Sequence, residues 1–92
     1  MSDTISVELE IINERGVHAR AAASFVKTID GLNADVQVER LGQVVDGNSI
    51  MGLMMLAAAK GTKIKVSAAG TDAETAIANI TQLVNGRFGE DR

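Results

Sequence analysis

Apolar residues in this chain recur at two spacings that take turns along its length, and that alternation limits the folds open to it. From Ile5 to Ile11 they alternate with Ser6, Glu8 and Glu10, the pattern of a strand with one buried face. Asn13-Glu14-Arg15-Gly16 reads as a turn. From Ala19 to Asp30 the period lengthens: Ala19, Ala22, Val26 and Ile29 share a helical face, and Gly31 stops it. Val36 and Val38 return to alternation, and Leu41-Gly42-Gln43 links them to Val44-Val45 in a hairpin that Asp46-Gly47-Asn48-Ser49 ends. Ile50, Leu53, Met54, Ala57 and Ala58 predict a second helix closing near Gly61, followed by a strand through Ile64, Val66 and Ala68. Thr71-Asp72-Ala73-Glu74 matches a capping box, opening a third helix on Ala73, Ala76, Ile77, Ile80, Leu83 and Val84 that stops at Gly86. The order strand, helix, strand, strand, helix, strand, helix favours an α+β fold, an antiparallel sheet with helices over one face.

Ninety-two residues, 46% of them hydrophobic, suit one domain spanning residues 1–92. With two phenylalanines and no tyrosine or tryptophan the core must be aliphatic, and no aromatic platform for nucleic-acid bases exists. Twelve acidic against nine basic side chains give a net charge of −3, which opposes attraction to nucleic acid or anionic lipid. The absence of cysteine rules out a thiolate site and the single histidine leaves little for a transition metal to bind, so neither a metal nor a cofactor is expected. The opening residues carry no secretory pattern, and the apolar run from Ile50 to Ala59 falls short of the roughly 20 residues a bilayer requires, so no membrane insertion and a cytoplasmic location are expected.

The charge is unevenly placed. Arg15, Arg20 and Lys27 lie in a thirteen-residue stretch with no acid, a local positive patch suited to a small anion. Within it His18 directly precedes the first helix, where unpaired N–H groups and the helix dipole favour negative charge. Ser, Thr, Asp or Asn would cap that helix better. An imidazole, with an ordinary pKa of roughly 6.5, offers a ring nitrogen to phosphorus at neutral pH, and a phosphate left on it would meet helix N–H groups and Arg20. The competing reading is a loop histidine with no task and a solvated arginine. No serine-histidine-acid set, Walker-type loop or histidine-carboxylate metal spacing can be assembled, and Glu8 and Glu10 belong to a solvated strand face.

Gly16-Val17-His18-Ala19-Arg20, followed by Ala22 and Val26, resembles the active-site segment of the histidine-containing phosphocarrier (HPr) family. Gly47-Asn48-Ser49-Ile50-Met51-Gly52-Leu53-Met54 is similar to that family's regulatory-serine segment, and the element order agrees from Thr4 to about Phe88. The resemblance implies an open-faced β-sandwich: a four-stranded antiparallel sheet in the order 1-4-2-3 with three helices on one face. It implies further that His18 accepts a phosphoryl group from Enzyme I, itself charged by phosphoenolpyruvate, and hands it to an Enzyme IIA domain. Arg20 would steady the group, and Lys27, Ile50, Met51 and Met54 would form the docking surface. Ser49 would be a regulatory site for an HPr kinase/phosphorylase. The chain would then be a carrier and not a turnover enzyme.

Two positions depart from the family pattern. Ala21 stands where proline is usual after the motif arginine, and Arg15 stands where many members carry Asn or Ser. Leu53-Met54-Met55-Leu56 with Lys60-Gly61, and Asn85-Gly86-Arg87-Phe88, resemble the nitrogen-related branch of the family, whereas the Ser49 segment resembles the sugar branch. A binding module of the same fold that transfers nothing is the remaining alternative, against which the retained histidine argues.

Overall fold

The computed structural model describes residues 4–92. Its elements follow in the order β1 (Ile5–Glu10), α1 (Ala19–Ile29), β2 (Asp35–Arg40), β3 (Gln43–Asp46), α2 (Ile50–Met55), β4 (Lys63–Ala69) and α3 (Ala73–Asn85), closed by a short 3₁₀ turn at Arg87–Gly89. The four strands form one antiparallel sheet in the order β1-β4-β2-β3.

Register follows from the alternation. Val7, Val66, Val38 and Val45 lie side by side across all four strands, and Ile5, Ala68 and Val36 form the neighbouring row. A slip of one residue would turn both rows into water. These rows face α1, α2 and α3 across a single core in which Ile11, Phe25, Leu53 and Ile80 are the largest fully buried side chains. Removing each from water contributes about 1.5–3 kcal/mol. The opposite face carries Glu8, Lys65 and Glu39 in register, a Ser6–Ser67 hydroxyl contact of 3.1 Å and an exposed Lys63–Glu8 pair at 3.8 Å. That face is the solvated one assigned to Glu8 and Glu10.

Two local expectations need correction. The second helix does not run to Ala58; it ends at Met55, and Ala57 takes a left-handed φ of 51°. Leaving the helix there lets the Ala58 carbonyl accept a hydrogen bond from the Val17 N–H at 2.9 Å, across the molecule. The capping box of α3 also does not form. Asp72, not Thr71, is the N-cap and makes no side-chain cap bond; its Oδ2 accepts from the Asn33 N–H at 2.7 Å, while Thr71 Oγ1 accepts from Asn33 Nδ2 at 2.8 Å. Both side chains fasten the α1–β2 loop instead. Gly31 and Gly86 do end their helices where expected.

Candidate phosphoryl-acceptor site

α1 begins abruptly. His18 is its N-cap in extended conformation and gives no side-chain cap bond; no acid stands in the first turn, where Arg20 works against the helix dipole. A helix starting without a side-chain cap, with a histidine at the cap and an arginine in the first turn, lacks the usual terminal stabilisation and leaves an electropositive end. The turn before it is held from both sides. Gly16 has φ of +67°, and a Cβ there would lie 2.5 Å from the Ala58 carbonyl oxygen, so only glycine lets the chain approach the segment after α2 this closely.

The far end of the chain completes the site. After α3, Arg87, Phe88 and Gly89 take successive left-handed φ values of 56°, 54° and 81°, which turns the Phe88 ring into the core and swings Glu90 over His18. Glu90 Oε2 meets His18 Nε2, and Glu90 Oε1 accepts from Asn13 Nδ2 at 3.0 Å. Asn13, fully buried, donates as well to the Gly16 carbonyl at 2.8 Å and leaves its Oδ1 without a partner among the described residues. Partial burial, the largest single influence, raises the Glu90 pKa, but the hydrogen bonds from His18 and Asn13 and the charges of His18 and Arg15 together hold it below the ordinary glutamate value. Glu90 is therefore a carboxylate at neutral pH and can only accept, so Nε2 of His18 carries a hydrogen. The His18 and Glu90 side chains remain 16% and 17% accessible, so both keep an edge in contact with solvent.

Beside this pair Arg15, Arg20 and Arg92 line a cleft of about 420 Å³ together with Glu14, Glu90 and Asp91. The structure thus brings Arg20 to the cleft bordered by His18's carboxylate partner. Lys27 is exposed in the last turn of the same helix, nine residues or about 13 Å along its axis from His18. Ser49 caps α2, its Oγ accepting from the Gly52 N–H at 2.9 Å. On that helix Leu53 is buried, while Ile50, Met51 and Met54 are 40%, 74% and 43% exposed. The described residues hold no cluster of three or more histidine or acidic side chains placed to bind a metal ion, and no helix among them is long and apolar enough to cross a membrane. Asn13 and Glu90 were invisible as site residues in the sequence. Nothing in local spacing links positions 77 residues apart.

A family model described as the PTS HPr component phosphorylation site matches residues 5–86. The chain belongs to the HPr family. It is 49% identical to phosphocarrier protein HPr of Neisseria meningitidis over 82 residues, 89% of this chain and 92% of the relative. It is 37% identical to phosphocarrier protein NPr of Escherichia coli over 89 residues, 96% of this chain and 99% of the relative. Among solved structures, HPr-C-His of Thermoanaerobacter tengcongensis superposes with a TM-score of 0.90 at 40% identity, covering 96% of this chain and 99% of the other. Membership makes the chain an HPr/NPr-type phosphocarrier of the phosphotransferase system, and the 1-4-2-3 sheet with three helices is the HPr fold.

Proposed function

We propose that His18 is the residue that takes the phosphoryl group, receiving it from Enzyme I and passing it to an Enzyme IIA-type domain. The observation that carries this reading is the histidine at the uncapped N-terminus of α1, accessible at its edge and paired with Glu90, which shares a cleft with Arg20. On transfer, phosphorus leaves the donor nitrogen and bonds to the His18 ring; the N–H groups of the first turn and the Arg20 guanidinium offset the charge of the phosphoryl oxygens. Onward transfer reverses these steps toward the next acceptor. The exposed side chains of Ile50, Met51 and Met54, on a helix packed against α1, form the apolar part of the docking surface, with Lys27 at its polar rim. Ser49 serves as a regulatory site, modified by an HPr kinase/phosphorylase, beside that surface.

The test is incubation with Enzyme I and phosphoenolpyruvate. Native chain should acquire acid-labile label, His18→Ala none, and Arg20→Ala label at a reduced rate with an unchanged melting temperature. Label retained in His18→Ala would overturn the assignment. The extent of likeness to NPr supports a second reading, service in a nitrogen-related regulatory branch. Charging by a nitrogen-type Enzyme I in preference to the sugar-type enzyme would select it.

A further inference from the structure

We propose that Glu90 is a positioning residue for His18: aimed by Asn13, its carboxylate holds the Nε2 hydrogen and presents Nδ1 as the ring nitrogen with a free lone pair. This rests on the reading of His18 as acceptor.

The geometry is closed. Both Glu90 oxygens are engaged, Oε2 by His18 and Oε1 by Asn13, and the Asn13 amide is fixed in turn by the Gly16 carbonyl two residues before the histidine. The loop carrying the acceptor is thus tied to the carboxylate that orients it. The arrangement is also costly. Two non-glycine residues adopt left-handed backbone to deliver Glu90, and a buried amide oxygen on Asn13 has no partner among the described residues. A surface tether would not require a buried asparagine aimed at one carboxylate oxygen.

The chemistry gives the contact a role. When the Nδ1 lone pair forms the N–P bond and the donor's bond to phosphorus breaks, positive charge builds on the imidazole while the Nε2 proton stays where it is. The Glu90 carboxylate lies against that proton and offsets the charge. When the N–P bond breaks toward the next acceptor, the electron pair returns to Nδ1 and the same tautomer is restored. No proton has to move in either direction.

Ring-¹⁵N-labelled chain tests this without any partner protein. Long-range ¹H–¹⁵N spectra should show native His18 protonated at Nε2 and Glu90→Ala shifted toward a tautomer mixture, with Glu90→Gln between the two because its single amide oxygen can face only one of the donors, His18 Nε2 and Asn13 Nδ2, that Glu90 serves. Phosphoramidate, a small phosphoryl donor that releases ammonia, should then label the native chain at Nδ1. In Glu90→Ala the Nδ1 to Nε2 product ratio should fall roughly tenfold or more, the discrimination a hydrogen bond to a charged group supplies. Backbone amide spectra of the core should not change. Identical ring signals and identical product ratios in native and Glu90→Ala would overturn the proposal and leave Glu90 as a tether. A native ring held as described that Enzyme I nonetheless never charges would overturn the relay reading and not this one.

Discussion

The Cα of Gly16 lies so close to the Ala58 carbonyl that a methyl group would come within 2.5 Å of its oxygen, and the backbone there is left-handed as well. Gly16→Ala should therefore lose about 1–3 kcal/mol from the conformation alone, with the clash adding to it. Urea denaturation should show a lowered midpoint. A midpoint unchanged from native would mean that the turn before His18 is not pinned to the segment after α2.

Ser49 separates two roles by two substitutions. Ser49→Ala removes the acceptor for the Gly52 N–H and should cost about 0.5–2 kcal/mol, whereas Ser49→Asp keeps an acceptor and favours the helix dipole, so its melting temperature should stay near native. If the residue also regulates docking, Ser49→Asp should slow Enzyme I-dependent charging, because a negative charge beside Ile50, Met51 and Met54 must be desolvated on contact. Charging at the native rate in Ser49→Asp and in the phosphoserine form would leave it a cap alone.

The pH dependence of stability has a defined sign. Glu90 has a folded pKa below its unfolded one, so its contribution is complete above the ordinary glutamate value of about 4.3 and is lost as pH falls through the lower folded value. Native chain should exceed Glu90→Gln in stability at pH 6, and the gap should narrow below about pH 4. Paired urea titrations at the two pH values read it. The neighbouring Glu14 and Asp91 are present in both chains and drop out of the difference. A gap constant with pH would show that the carboxylate charge adds nothing to the tail.

Ala21 is the third residue of α1, where no intrahelical carbonyl needs its N–H. Ala21→Pro should be neutral or stabilising by about 0.4–1 kcal/mol, through a less flexible unfolded chain. Alanine is fully buried there, so a melting temperature several degrees lower would mean that the pyrrolidine ring has no room in the core.

The fold was legible wherever one hydrophobic period held over several residues. Val36 and Val38, or Ile77, Ile80 and Val84, report their faces directly, because a strand or helix with one wet side writes its geometry into the sequence. The end of α2 was not legible: Ala57 and Ala58 continue the helical pattern, and what stops it is a hydrogen bond to Val17, a partner the local sequence does not contain. The Thr71 capping box failed for the same reason, since Asn33 competes for both side chains. The position of His18 and Arg20 at a helix start could be read because it is a local feature. Glu90 could not, because its role depends on three left-handed residues that return the chain to its beginning.

The sheet order carries a consequence for how the molecule assembles. Among the described residues β1 pairs with β4 alone, Ile5 opposite Ala68, so the first strand has no hydrogen-bonded neighbour until more than fifty further residues are in place, and β2–β3 is the one local hairpin. Closing such long loops costs entropy before any pairing is gained, which slows this mixed topology relative to a helical bundle of the same size. The turn bearing His18 inherits the delay. Its ties to Ala58 and Glu90 are all long-range, so the orientation of His18 is set by contacts that close only when the segment after α2 and the tail have both come back to the first turn.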